Sequence, residues 1–243
     1  MVPTGLDKRR MRLHGNWRRS LTQARSSHSR KSNALKITKY GHSCLHVVDG
    51  SASILIDPGS FSQGFETLSG LTAVLITHQH ADHVDQQRLT GLLRANPDAT
   101  LYADSGSAEA LAAAGITAST VATGDVLDVG TRVEVFAGHH AVVHGDIPLI
   151  SNACYFISGR LLHPGDSLTV IDHKVEILAL PTSAPWMAVK EAVEYFRAVD
   201  PAVAIPIHDK VMANPAMVYG ILTKLGPSTA RWLNLDDGHF EIL

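Results

Sequence analysis

The sequence is poor in cysteine and contains no long apolar stretch. Its 243 residues include two cysteines, Cys44 and Cys154, which are too few for a disulfide framework. Both lie among strand-forming neighbours, so we expect two reduced thiols in the core. The longest apolar runs, such as 202–207, are far shorter than the roughly 20 residues that cross a bilayer. The sequence therefore predicts no transmembrane helix and no membrane partner.

Charge is divided unevenly along the chain. Residues 1–35 contain nine Lys or Arg and a single acid, Asp7, whereas residues 36–243 contain 12 basic and 22 acidic side chains. The first segment lacks the apolar centre of a secretory signal, so we expect a disordered basic extension on a cytoplasmic protein. It would be an arm for nucleic acid or anionic membrane, an organelle transit peptide, or an upstream translation start of little function. We favour the last, since Met11 would equally begin the chain.

The rest of the chain predicts one layered α/β domain over residues 36–243. This length, with 45% hydrophobic residues in the whole chain, supports one large core better than two. Consecutive strand pairs with helices between them indicate sheets packed together with helices outside. Strands are predicted at 36–40, 44–48, 53–56, 73–77, 100–103, 132–137, 153–158, 175–180 and 203–207, and helices at 84–96, 108–114, 186–199 and 216–225.

Two segments of the chain resemble each other. Residues 53–60 (SILIDPGS) and 160–167 (RLLHPGDS) each read as a strand that ends in a Pro-Gly turn carrying an acid. Two halves of similar design would bring both strand ends to one edge of a sandwich. The match is too short to establish a duplication.

The segment 77–83 (THQHADH) places three imidazoles and one carboxylate within six residues, directly after an apolar strand. In an extended loop His78 and His80 project to the same side and can bind one metal ion. Asp82 and His83 lie where the chain turns into a helix and can face a second ion. Imidazole and carboxylate ligands suit zinc, iron or manganese. The alternative is a solvated, histidine-rich loop.

The pattern His-x-His-x-Asp-His after a strand resembles the signature of the metallo-β-lactamase superfamily. The resemblance continues from Lys36 onward, through GHS at 41–43, ILIDP at 54–58, GD at 165–166 and IPIH at 205–208. The order of these motifs resembles the order in the superfamily branch that contains L-ascorbate-6-phosphate lactonase. It implies a four-layer αβ/βα sandwich with two metal ions at one edge of the sheets.

The resemblance also implies a set of metal ligands in this chain. The first ion would be bound by His78, His80 and a later histidine, and the second by Asp82, His83 and His208, with Asp166 bridging both ions. Both later residues suit the role, since Asp166 follows a Pro-Gly turn at a strand end and His208 follows a buried strand.

The sequence leaves the third ligand of the first ion open. His139, His140 and His144 all follow the predicted strand 132–137. Neighbours on a strand point to opposite faces, so His139 and His140 cannot both enter the site. We predict that His140 is the ligand and that His144 lines the substrate pocket.

Two further residues are predicted to lie near the site. Asp57, at the end of its strand, can accept a hydrogen bond from the far nitrogen of a ligating imidazole and fix its tautomer, or it can simply form the Pro-Gly turn. His42 can line the substrate pocket or be a buried, hydrogen-bonded histidine.

These residues predict a hydrolase with two divalent ions, zinc first and manganese or iron as alternatives. Two ions roughly 3.5 to 4 Å apart would lower the pKa of a bridging water toward about 7 and supply hydroxide. Asp82 would orient that hydroxide and shuttle a proton. We expect a small lactone, ester, amide or phosphoester substrate.

Three alternatives stand beside this prediction. The short, acidic catalytic portion disfavours a phosphodiesterase or nuclease and any nucleic-acid partner. Di-iron redox relatives typically carry Glu in place of the second motif histidine, and His80 argues against them. A metal-binding module without hydrolase activity would be expected to lack a ligand, whereas every expected position is filled here. The oligomeric state stays open, with a homo-oligomer as one alternative.

Overall fold

Apolar strands of three to eight residues form the centre of a computed structural model that describes residues 34–235 and 238–243. All but the end of the predicted extension, residues 1–35, lies outside the described residues. The strands are β1 Lys36–Lys39, β2 Leu45–Asp49, β3 Ala52–Ile56, β4 Ala73–Ile76, β5 Thr100–Ala103, β6 Ser119–Thr120, β7 Val126–Asp128, β8 Arg132–His139, β9 Ser151–Ile157, β10 Leu161–His163, β11 Ile177–Pro181, β12 Val203–Ile207, β13 Arg231–Trp232 and β14 Phe240–Ile242. The helices are α1 Gln86–Ala95, α2 Ser105–Ala113, α3 Val189–Val199 and α4 Ala216–Leu225, with a short 3-10 helix at Phe65–Thr67.

The strands form two sheets of seven strands each. Their orders are β14-β1-β2-β3-β4-β5-β6 and β13-β12-β11-β10-β9-β8-β7. β3 pairs antiparallel with β2 and parallel with β4, while β10 pairs antiparallel with β9 and parallel with β11. The two similar segments of the sequence thus contain the fourth strand of each sheet, and both strands change from antiparallel to parallel pairing at that place.

The central strands are buried on both faces, which produces four layers. In β3, Ile54 belongs to a core between the two sheets, whereas its neighbour Leu55 packs with Leu89 of α1 and Leu111 of α2. On the other sheet, Phe156 of β9 packs in a third cluster with residues of α3 and α4. Strands covered on both faces read as continuous apolar runs. The predicted αβ/βα sandwich is confirmed.

The structure differs from the predicted elements mainly at the edges of the sheets. The strands β6, β7, β13 and β14 have two or three residues and are largely exposed, so they lack the apolar pattern that predicts a strand. α1 begins two residues later than predicted, because the Asp85 side chain accepts a hydrogen bond from the Arg88 amide and caps the helix.

Both cysteines lie in the described part of the chain. Cys44 and Cys154 are buried and free. Among the described residues, no helix is both long enough and apolar enough to cross a membrane, and the longest, α3, has 11 residues.

His46 predicts a pH dependence of stability. It lies in β2, where burial, and then the charge of Lys36, lower its pKa from 6.5 to about 4. The unfolded chain therefore binds this proton more readily, and the free energy of unfolding falls as the pH drops from 6.5 toward 4. In chelator-treated protein, we expect His46→Gln to make this fall shallower in urea titrations. Parallel curves for the variant and the parent protein would contradict the assignment.

Candidate metal centre

The candidate ligands follow the ends of strands that meet at one edge of the two sheets. The loop between β4 and α1 carries the histidine motif, and Asp57 directly follows β3, the strand beside β4. In the other sheet, the strands β8, β10 and β12 end shortly before His140, Asp166 and His208. Rigid strands thereby fix the positions of the side chains that follow them: His78, His80, Asp82, His83, His140, Asp166 and His208.

One group of side chains consists of His78, His80, His140 and Asp166. One ligand atom from each of them lies within 4.8 Å of the other three. His78 Nε2 is 3.1 Å from His80 Nδ1, and His140 Nε2 is 3.3 Å from Asp166 Oδ2. We call these four residues the first group. They are the residues that the sequence predicts for the first metal ion, with Asp166.

A second group consists of His42, Asp82, His83 and His208, again with ligand atoms within 4.8 Å of one another. The carboxylate of Asp82 is central to it, at 3.1 Å from His42 Nε2, 3.5 Å from His208 Nε2 and 3.9 Å from His83 Nε2. Three of these residues are the predicted ligands of the second ion. The fourth, His42, was expected in another role.

Asp166 connects the two groups. Its Oδ1 lies 3.1 Å from His83 Nε2, and its Oδ2 lies 3.1 Å from His208 Nε2. The same Oδ2 contacts His140 of the first group. The carboxylate is therefore placed between the two groups, which is the position that a bridging ligand requires.

Several atoms of the centre are buried without a hydrogen bond. They are Nε2 of His83, Nε2 of His140 and Oδ1 of Asp166. A buried nitrogen or oxygen left without a partner is costly, and native structures rarely keep one without a function. Metal coordination would satisfy all three atoms. The donor set, imidazole nitrogen and carboxylate oxygen without thiolate, fits divalent ions such as zinc, iron or manganese.

Electrostatics favour the forms that bind metal. Burial raises the pKa of Asp166, but His83, His140 and His208 outweigh it and hold that pKa well below its usual range. Burial lowers the pKa of His78 far below 6.5. A carboxylate and a neutral imidazole are the ligand forms that a cation needs.

The charges around His83 act in the opposite direction. Burial disfavours its charged form, yet Asp166 and Asp57 raise the pKa of His83 well above its ordinary value. The negative charge that draws a proton to this imidazole equally favours a metal cation beside it.

Asp57 orients His83 from outside the two groups. Its carboxylate accepts hydrogen bonds from the Thr77 amide at 2.8 Å, the Thr77 hydroxyl at 2.7 Å and His83 Nδ1 at 2.7 Å. With Nδ1 turned to Asp57, the ring presents its Nε2 to Asp166. His140 and His208 are held alike, since their Nδ1 atoms donate to backbone carbonyls at 2.5 Å and 2.6 Å.

The remaining sequence candidates lie in different surroundings. His42 is fully buried and donates from Nε2 to Asp82, which is the second of the two roles left open for it, a buried, hydrogen-bonded histidine. His144 is exposed and lines a cavity that also touches His80 and His140. His139 is exposed, whereas His140 is buried among the ligand candidates.

Two contacts of the centre were not predicted from the sequence. Trp186 Nε1 donates to Asp166 Oδ2 at 3.0 Å. His163 is buried and donates from Nε2 to the Ser43 carbonyl at 2.9 Å, which ties the loop before β2 to the end of β10. A single Trp or His in an apolar setting carries no spacing signal that would reveal such partners.

The fold and this centre define a class of protein. Residues 36–208 match the family model described as the beta-lactamase superfamily domain. The chain belongs to the metallo-β-lactamase superfamily.

Two relatives and one solved structure show how similar the chain is to known proteins. Protein Rv0786c of Mycobacterium tuberculosis is 46% identical over 199 residues, which cover 79% of this chain and 92% of that protein. A UPF0173 metal-dependent hydrolase of Symbiobacterium thermophilum is 28% identical over 201 residues, or 72% of this chain and 84% of the relative. The metallo hydrolase Igni18 of Ignicoccus hospitalis has a TM-score of 0.67 at 20% identity, covering 86% and 98% of the two chains, and shows the shared fold.

Gly59 predicts how tightly the histidine loop is packed. A Cβ on this residue would lie 1.8 Å from the carbonyl oxygen of Asp82 and 2.5 Å from the His83 amide. Backbone cannot move aside cheaply, so we expect Gly59→Ala to lose about 1 to 3 kcal/mol of stability together with bound metal. Gly91→Ala is the control, because open space surrounds Gly91 in α1. Thermal unfolding and elemental analysis measure both; an unshifted Gly59→Ala protein with full metal would show that the loop tolerates displacement.

Asp57 predicts a loss of metal affinity without the loss of a ligand. Asp57→Asn keeps the shape of the side chain but weakens the hold on His83 Nδ1, so we expect metal to bind about 10 to 100 times more weakly. Asp104→Asn provides a matched control, since Asp104 is a buried aspartate that caps α2. Competition with a chromophoric chelator gives both affinities. Equal affinities in the two variants would assign Asp57 to the turn alone.

Proposed function

We propose that this protein is a hydrolase that requires divalent metal ions and cleaves a small molecule with a lactone, ester, amide or phosphoester bond. The observation that carries the proposal is the convergence of six histidines and two aspartates, several of them with buried, unpaired ligand atoms. The names of relatives, which are called metal-dependent hydrolases, support it.

Each group of side chains would hold one ion. His78, His80 and His140 would bind the first, and Asp82, His83 and His208 the second, with Asp166 shared between them. Bound divalent ions supply an activated water and polarise the bond to be cleaved. Zinc is our first choice because the donors are mostly imidazole, and iron and manganese are the alternatives.

Asp82 is the residue we propose as catalytic. Its side chain is 21% exposed, whereas that of Asp166 is 2% exposed, so Asp82 is the carboxylate that can meet a water molecule. Burial opposes its ionisation, but the hydrogen bond from His42 and the charges of His83 and His208 lower its pKa to about 2. A carboxylate with so low a pKa holds a proton poorly. Its contribution would be to orient the water more than to store its proton.

The place of His42 beside Asp82 gives it a supporting role in this proposal. Its Nε2 donates to Asp82 at 3.1 Å, and its Nδ1 accepts a hydrogen bond from the Lys210 amide at 3.3 Å. The two bonds fix the neutral tautomer and the direction of the ring. We propose that His42 holds the Asp82 carboxylate in place toward the second group.

Neighbouring histidines provide a sharp test of the centre. His140→Ala removes a buried candidate ligand, whereas His139→Ala removes an exposed side chain one residue earlier. We expect His140→Ala to lose bound metal and at least about 100-fold in hydrolysis rate, in line with the loss of a positioned catalytic part. His139→Ala should keep both.

The measurements are metal content per chain by elemental analysis and turnover on panels of lactones, esters and phosphodiesters. Chelator should abolish turnover of the parent protein, and zinc or manganese should restore it. Full metal content in His140→Ala would contradict the ligand assignment. Metal-loaded parent protein without turnover on any panel would contradict the hydrolase proposal.

A further inference from the structure

A cavity of about 700 Å³ opens beside the first group of the metal centre, with His80 and His140 in its wall. This volume is within the range of about 300 to 1,000 Å³ that is typical of small-molecule sites. Most of the remaining wall is the segment 141–150, which joins β8 to β9. We call this segment the cavity loop.

The cavity loop is tied to the centre at both ends. The Ala141 amide donates to the backbone carbonyl of Asp166 at 2.8 Å, and the His140 amide donates to the Ile150 carbonyl at 3.0 Å. A molecule that rests against this loop therefore lies next to two candidate ligands. The cavity thus borders the first group of the centre.

The cavity loop exposes an unusual number of large apolar side chains. Val142 is 65% exposed, and Ile147 and Leu149 are each 52% exposed. Single exposed apolar residues are common on protein surfaces, but a cluster that lines a concave site indicates a binding surface. Burying these side chains against an apolar ligand would remove them from water.

Charge restricts the ligand further. Among the described residues that line the cavity, Asp146 is the one with a formal charge at neutral pH, and the lining includes neither lysine nor arginine. A phosphate group is usually recognised by arginine, lysine or a helix N-terminus. Here it would meet the carboxylate of Asp146 without a cation from the wall. The lining disfavours a phosphorylated substrate.

We infer that the cavity binds the apolar chain of a neutral carboxylic ester or lactone, whose carbonyl then faces the metal centre. This inference rests on the proposed function and narrows its substrate class. In the reaction, water adds to the carbonyl carbon and the acyl C–O bond breaks. An ester gives a carboxylic acid and an alcohol, a lactone gives a hydroxy acid, and the proton lost by water passes to the leaving oxygen.

The first test is a chain-length series with metal-loaded protein. We expect kcat/KM to rise at least about 10-fold from p-nitrophenyl acetate to p-nitrophenyl octanoate, and from γ-butyrolactone to γ-decalactone, because added methylenes are buried against the cavity loop. p-Nitrophenyl phosphate and phosphorylated sugar lactones form the opposing arm. A flat series, or a preference for phosphorylated substrates, would overturn the inference while leaving a metal-dependent hydrolase in place.

The second test links the preference to the cavity loop. In the double variant Val142→Ser with Leu149→Ser, the ratio of octanoate to acetate kcat/KM should fall at least about 5-fold. Met217→Ser should keep the ratio, because Met217 is 75% exposed on α4 and is not among the residues lining this cavity. An unchanged ratio in the double variant, together with a change from dimer to monomer in light scattering, would identify the loop as a contact between copies of the chain.

A binding measurement separates this inference from the proposed function. The ketones 2-decanone and 2-pentanone cannot be hydrolysed, and calorimetry on metal-loaded protein reports their affinity directly. We expect 2-decanone to bind at least about 10-fold more tightly, and the double variant to remove that difference. Equal affinities would overturn the inference. Tight binding of 2-decanone without turnover on any substrate panel would support the cavity assignment and contradict the hydrolase proposal.

Discussion

The buried carboxylate of Asp166 is the constraint on which the centre depends. It is 2% exposed, and an ionised carboxylate in such surroundings is stable only when positive or hydrogen-donating groups surround it. Those groups come from both sheets: His83 follows β4 of one sheet, and His140 and His208 follow β8 and β12 of the other. The residues of the centre therefore come together only when the two sheets pack face to face.

The backbone is strained at the strand ends that deliver this chemistry. His42, Asp57 and His208 have φ angles of 50°, 49° and 57°, a region that costs non-glycine residues on the order of 1 to 3 kcal/mol. They are three of the five non-glycine residues with positive φ in the described part of the chain. The apolar core between the sheets offsets this cost. The sharp turns make the side chains leave the strands at one edge, where a metal centre needs them.

The sequence predicts what is local and repetitive. β12 and α4 have the predicted bounds, because β12 is an apolar run that ends before His208 and α4 lies between Pro215 and Gly226, and the motif of residues 77–83 is contained in one loop. Long-range contacts are not legible in that way. The His42–Asp82 bond spans 40 residues and the Trp186–Asp166 bond spans 20, and no spacing rule connects either pair. The superfamily resemblance, and not composition or periodicity, brought His208 and Asp166 into the predicted centre.

In our proposal, the cavity loop would set the specificity of a scaffold that holds the chemistry in place. The loop joins the scaffold through backbone hydrogen bonds at Ala141 and Ile150, and these bonds do not depend on which side chains lie between them. Its apolar side chains point to water and contribute little to the core. Substitution within the loop therefore alters the wall of the cavity without moving His140 or Asp166, which strands and a buried charge network hold. In the proposed function, catalysis and substrate choice would reside in adjacent but separable parts of the chain.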